Sequence, residues 1–116
     1  MDTLQILKDA RALISDEKNW LQGYYSANDE GVYVRPFEPS ATCFCIVGAM
    51  HKVMGLPLSE SIPETVGILF AADEKLRDNF DGSFEGVIVD FNDENSHAEV
   101  IALFDRAIAR AESEAA

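Results

Sequence analysis

The chain has 116 residues, 47% of them hydrophobic, so we expect a single domain with its own core spanning residues 1–116. It carries 21 acidic and 9 basic residues, a net charge of -12. Such a charge argues against direct binding of nucleic-acid phosphates or anionic membranes and favours a protein partner with a basic surface. Without a signal pattern or an apolar run of about 18 residues, the sequence predicts a soluble cytoplasmic protein.

The first predicted element is a helix that begins after Asp2 and runs to about Ser15. Asp2 followed by Gln5 has the spacing of a helix start. Apolar residues then recur along one face of a 3.6-residue repeat, at Ile6, Leu7, Ala10, Leu13 and Ile14. Beyond a polar break, Trp20 is expected to anchor the core.

Residues 26–39 are predicted to form a loop with a turn at residues 28–31. The short β-like run 32–34 inside it is a candidate strand. Loops of this length often carry function, but an ordinary connection is the more common use.

Residues 40–55 form the least polar stretch, and they predict a central helix that should be the most buried element. Ser40 follows Pro39 and can cap it, while Gly55 before Leu56-Pro57 ends it. Gly48 in its middle lowers helix propensity, and the small pair Gly48-Ala49 is understandable if another backbone approaches there. On such a helix Cys43 and Cys45 point about 200° apart, so we expect two free thiols.

Two more helices and a strand complete the prediction. Ser61 and Glu64 have capping-box spacing before a helix that reaches about Leu76, with Pro63 in its first turn. Ser96 and Glu99 start the last helix, whose buried stripe is Val100, Leu103, Phe104, Ala107, Ile108 and Ala111. Residues 87–91 have β character. The fold class is therefore mainly α: a small bundle of about four helices, in which residues 87–91 and 32–34 could pair as a minor two-stranded β-ribbon.

The strongest departure from an ordinary composition is the acidic segment 78–99, which contains no Lys or Arg. We predict that six of its carboxylates bind the partner: Asp78, Asp81, Glu85, Asp90, Asp93 and Glu94. A solvated surface that confers solubility is the ordinary use of such a segment. Its functional use is binding to a basic protein groove, in the extreme by mimicry of nucleic-acid phosphates.

Two alternatives to a non-enzymatic acidic interaction protein remain open. In the first, a cysteine hydrolase, Cys45 or Cys43 near a helix start would act with His97 and with Asp93 or Asn92. The apolar surroundings of the thiols disfavour it because they raise a thiol pKa. The second is a homo-oligomeric structural module. We expect no metal and no cofactor, since Cys43 and Cys45 are too close in sequence for a zinc knuckle and His51 and His97 lack His-x3-5-His spacing.

The motifs around Trp20, residues 44–49, residues 91–93 and residues 99–108 resemble those of a family of short bacterial and phage proteins of unknown function. In that family an aromatic-Cys-x-x-Gly-Ala helix precedes an aromatic-Asn-Asp turn and a closing helix. The resemblance covers most of the chain from Trp20 onward and implies no activity. It draws attention to Cys45, Gly48, Asn92 and Asp93 and leaves His97 outside the pattern. For a phage protein, the acidic segment would suit an inhibitor of a nucleic-acid-handling host system.

Overall fold

Helix α1 spans Thr3–Leu13 in the computed structural model, which describes residues 2–78 and 82–115. Asp2 Oδ1 accepts the N–H of Gln5 at 2.8 Å, so the predicted cap is confirmed. The predicted stripe is buried at Ile6, Leu7, Ala10 and Ile14. A short 3₁₀ turn, Glu17–Asn19, follows and leads into Trp20, which packs against the core as expected.

The central segment contains a helix, α2, but its predicted cap at Ser40 is wrong. Helix α2 spans Ile46–Met54, and its N-cap is Cys45. Residues 43–44 instead form strand β2 (Cys43–Phe44), antiparallel to β1 (Ser26–Ala27), with Ser26 opposite Phe44. Because those backbone groups are hydrogen-bonded across the ribbon, the helix begins only after Cys45. Its end is as predicted, since Gly55 takes the left-handed φ of 68° that glycine favours.

A minor two-stranded β-ribbon is therefore present, but the strands predicted for it were wrong. Residues 87–91 lie in helix α5, Phe84–Glu94, which Ser83 caps by accepting the N–H of Gly86 at 3.1 Å. Val87, Ile88 and Asn92 are buried on one side of α5. Packing of that side outweighs the strand preference of the Val-Ile-Val run, which is a weak and context-dependent preference.

The predicted third helix is divided in two. Helix α3, Pro63–Ala71, starts after Ile62 with no side-chain cap, so the Ser61 capping box is wrong, although Pro63 does sit in the first turn. Helix α4, Glu74–Asp78, follows a break at Asp73, whose Oδ1 accepts the N–H of Lys75 at 2.9 Å. An Asp that bonds its own downstream backbone favours a turn over continued helix.

Helix α6, His97–Ala115, is the longest and matches its prediction. Ser96 Oγ accepts the N–H of Glu99 at 3.2 Å. The predicted stripe is buried at Val100, Leu103, Phe104 and Ala107, whereas Ile108 and Ala111 are half-buried.

Helix α2 lies at the centre, where it packs against α1 and α5, while α1 and α3 also contact α6. Its first six residues, from Ile46 to His51, are all buried, as expected for the central helix. The mainly α fold with a minor ribbon is confirmed, with six α-helices among the described residues rather than about four. Within that part of the chain, no helix combines the length and the apolar character needed to cross a membrane.

Candidate functional site

Four of the six carboxylates predicted to bind a partner lie together on helix α5. They are Glu85, Asp90, Asp93 and Glu94. Asp78 ends the separate helix α4, and Asp81 lies outside the described residues.

The α5 carboxylates occupy the side of the helix away from the core. At about 100° per residue they span roughly half of the helix circumference, opposite Val87, Ile88 and Asn92. Asp90, Asp93 and Glu94 are exposed and Glu85 is half-buried. We call Glu85, Asp90, Asp93 and Glu94 the acidic face. None of the six ion pairs found among residues 2–78 and 82–115 involves a member of it.

Asn92, on the inner side of α5, is fully buried and joins three parts of the chain. Its Oδ1 accepts hydrogen bonds from Trp20 Nε1 at 2.8 Å and from the N–H of Ile46 at 3.1 Å. Its Nδ2 donates to the carbonyl oxygen of Leu21 at 2.9 Å and to Asp93 Oδ1 at 3.1 Å. Because every polar atom of the amide has a partner, a buried Asn is stable here. The main partners of Asn92 and Asp93 are distant in sequence and lie at Trp20, Leu21, Gly23 and Ile46.

The segment after Trp20 is fastened to the end of α5 by two further residues. Gln22 Nε2 lies 3.2, 3.1 and 3.0 Å from the carbonyl oxygens of Asn92, Asp93 and Asn95. Those carbonyls belong to the helix C-terminus, where the helix itself supplies no partner. The N–H of Gly23 donates to Asp93 Oδ1 at 2.9 Å. The acidic face is thus held against the residues that follow Trp20.

A cleft opens beside this junction, between α5, the start of α2 and the segment after Trp20. Its volume is about 250 Å³. We call it the tyrosine cleft; its lining residues are Gly23, Tyr24, Tyr25, Cys45, Val89 and Asp93. It brings together one predicted binding residue, Asp93, and the cysteine that the sequence resemblance singled out.

Cys45 is built into this site as a structural thiol. Its side chain is 3% exposed, and its Sγ accepts the N–H of Gly48 at 3.3 Å. Burial raises the pKa of the thiol to about 11, against the smaller lowering by the Gly48 amide. The thiol is therefore protonated near neutral pH, whereas nucleophilic catalysis requires the thiolate.

His97 makes its hydrogen bond with a group other than Cys45. Its Nε2 bonds the carbonyl oxygen of Ile14 at 2.6 Å, and its ring lies 5.5 Å from that of Trp20. Among the described hydrogen bonds, none joins His97 to Cys45. Cys43 is also a free thiol, placed in β2 rather than in a helix.

Tyr25 connects the cleft to the acidic face. Its pKa is raised by burial first, and then by the negative charges of Glu85 and Asp93 and by the Cys45 thiol. Two carboxylates of α5 therefore lie near the phenol. The backbone of Tyr25 is equally constrained, since its carbonyl oxygen accepts the N–H of Cys45 at 3.2 Å.

Sequence reasoning missed Gln22, Gly23, Tyr24 and Tyr25 as site residues. The sequence signal that could have found them is a glycine between a polar residue and two aromatic ones, which indicates a turn. In the structure Gly23 has a φ of 86°, which residues other than glycine rarely adopt. This turn lets the chain present its N–H to Asp93.

Among the described residues, no three His, Cys, Asp or Glu side chains are grouped so that they could hold a metal ion. A family model with the description "Family of unknown function (DUF6197)" matches residues 1–110. The match includes helix α1, which the sequence resemblance had not covered. No curated protein and no solved structure matches the chain.

Proposed function

The chain belongs to this family of unknown function, and from its own charge and geometry we propose that it is a non-enzymatic interaction protein. Its acidic face would bind a basic surface on another protein. The observation that carries the proposal is the set of α5 carboxylates that point outward without an ion pair in the described structure.

Six carboxylates elsewhere in the described chain do form ion pairs. Asp105 is paired with Arg11 at 2.7 Å, and Asp73 with Arg106 at 2.9 Å. The basic side chains of those two pairs come from α1 and α6. None of the described ion pairs includes a carboxylate of the acidic face, although Lys75 of α4 lines one depression together with Asp90 and Glu94. The net negative field of the face can attract and orient a basic partner.

This arrangement also has a cost to the free protein. Asp90 and Glu94 are four residues apart on α5, where like charges destabilise a helix by about 0.2–0.5 kcal/mol per pair. Contact with a basic surface removes that repulsion and so contributes to binding. A solvated surface that only confers solubility gains nothing from such close spacing.

If the gene is carried by a phage, the concrete form of this function is inhibition of a host protein that handles nucleic acid. The acidic face would then occupy a groove that otherwise holds phosphates. This form predicts competition: nucleic acid and this protein would exclude each other from the same partner.

The test compares two triple variants with equal change in charge. One neutralises three of the four carboxylates of the acidic face, with Glu85→Gln, Asp90→Asn and Glu94→Gln. It leaves Asp93, whose Oδ1 accepts the N–H of Gly23. The control neutralises exposed carboxylates elsewhere, with Asp29→Asn, Glu30→Gln and Glu60→Gln. Each protein is immobilised, and host proteins are bound from lysate and eluted with a salt gradient.

We expect the acidic-face variant to lose specific basic proteins that the wild type and the control retain to the same salt concentration. Retention that falls equally in both variants would mean that net charge alone attracts the bound proteins. Retention that is unchanged in both would remove the electrostatic proposal altogether.

A further inference from the structure

Exposed aromatic rings adjoin the acidic face, next to the tyrosine cleft. Tyr24 and Tyr33 are 52% and 56% exposed, and their rings stack with centroids 3.5 Å apart. Tyr24 and Tyr25 line the cleft itself. A tyrosine ring carries negative charge on its face, so it attracts a cation that lies over it.

Asp93 supplies an oriented carboxylate on the wall of this cleft. Its Oδ1 accepts the N–H of Gly23 at 2.9 Å and Asn92 Nδ2 at 3.1 Å. Asn92 is itself fully buried and held by Trp20, Leu21 and Ile46. The other oxygen, Oδ2, accepts no hydrogen bond from the described residues. The carboxylate is therefore fixed in direction with one oxygen available to a donor.

The size and the lining residues of the cleft suit a flat cation such as a guanidinium group. Its volume of about 250 Å³ is below the 300–1,000 Å³ usual for drug-sized ligands, and fits one side chain better than a cofactor. Cys45 and Val89 are the apolar residues of the lining, and Glu85 lies near Tyr25. Aromatic, apolar and anionic surfaces thus meet in one small depression.

We propose that the tyrosine cleft binds the guanidinium group of an arginine side chain presented by the basic partner, with Asp93 Oδ2 as hydrogen-bond acceptor and the tyrosine rings as stacking surface. The proposal rests on the proposed function, which it deepens by naming the side chain that the partner inserts. Arginine fits better than lysine because its planar group stacks on aromatic rings, is weakly hydrated and donates in a fixed direction.

Binding is measured by titrating the ¹⁵N-labelled protein with three tripeptides, Gly-Arg-Gly, Gly-Lys-Gly and Gly-citrulline-Gly. Citrulline has nearly the shape of arginine without its charge. We expect saturable shifts of the amide signals of Gly23, Tyr25, Cys45 and Asp93 with the arginine peptide. The lysine peptide should bind several-fold more weakly and the citrulline peptide should produce no saturable shift.

Asp93→Asn tests the acceptor, and Asp29→Asn is its matched control. Both remove one charge from an exposed aspartate, but Asp29 lies outside the acidic face and does not line the cleft. Asn at position 93 keeps an oxygen for the Gly23 N–H, so we expect the fold to be retained. Loss of a charge-assisted hydrogen bond predicts affinity for Gly-Arg-Gly at least about tenfold lower in Asp93→Asn, with Asp29→Asn close to wild type.

Equal weakening in both variants, equal affinity for arginine and lysine, or shifts outside the cleft would each overturn the proposal. These outcomes are separate from those of the triple variants. If the acidic face binds basic proteins but Gly-Arg-Gly leaves the cleft signals unmoved, the arginine proposal fails alone. If the peptide binds but no basic protein depends on the acidic face, the proposed function fails alone.

Discussion

Replacing Gly48 with alanine should destabilise the protein severely. A Cβ at this position would lie 1.9 Å from the carbonyl oxygen of Tyr25 and 2.8 Å from its carbonyl carbon. Both atoms belong to the backbone, and the Tyr25 oxygen also accepts the N–H of Cys45, so they cannot move aside as a flexible side chain would. Overpacking a core typically costs about 1–3 kcal/mol. Since this clash needs a backbone shift, we expect the free energy of unfolding to fall by about 3 kcal/mol or more.

Gly67→Ala is the matched control, because Gly67 is also inside a helix and no atom lies within 4 Å of its added Cβ. Alanine there should leave stability unchanged or raise it by up to about 1 kcal/mol through helix propensity. Urea unfolding followed by circular dichroism measures both. The reasoning would be refuted if Gly48→Ala unfolded at the same urea concentration as Gly67→Ala.

Three further predictions concern the junction and the last helix. Asn92→Ala should lower the free energy of unfolding by about 4 kcal/mol, because it leaves Trp20 Nε1, the Ile46 N–H and the Leu21 carbonyl unpaired in the interior; a loss under 1 kcal/mol would argue against the junction. The Cys45 thiol has its pKa raised from 9.0 to about 11, so the folded state keeps a proton that the unfolded chain releases. Stability should therefore fall by about 2 kcal/mol between pH 9 and 11 relative to Cys45→Ser, and an equal change of the free energy of unfolding with pH in the two proteins would contradict this. Ser96→Ala should cost about 1 kcal/mol in the same assay by removing the cap of α6; an unchanged midpoint would show that the cap is dispensable.

The parts of the fold that sequence predicted well depend on neighbouring residues. The caps at Asp2 and Ser96 and the stop at Gly55 each use backbone groups within a few positions. Helical stripes are equally local, because their spacing alone defines a face. The close approach at Gly48 was also readable, since a glycine inside a helix otherwise weakens it.

The errors arose where distant segments compete for the same residues. Residues 43–44 were predicted as helix because their apolar spacing continues that of α2, but pairing with Ser26–Ala27 makes them a strand. Residues 87–91 were predicted as a strand because of their β-branched side chains, and burial of one side makes them a helix. Local preference is worth less than tertiary packing in both cases.

In the candidate site, too, features set by neighbouring residues were predicted and features set by distant segments were not. The carboxylates of the acidic segment could be listed from sequence, but their common outward side required residues 87–91 to be helical. The tyrosine cleft could not be foreseen, because Tyr25, Cys45 and Asp93 come from three separate segments.

By itself, the sequence determined the mainly α class, the central buried segment and the excess of negative charge, all of which follow from composition and short-range periodicity. Only the tertiary structure decided which carboxylates face outward together and which are paired with arginines. It also decided that Asn92 fastens Trp20 and Ile46 to α5, which places Asp93 beside the tyrosines. The physical reason is that charge is a property of single residues, whereas a binding site depends on distances between segments that the folded core alone sets.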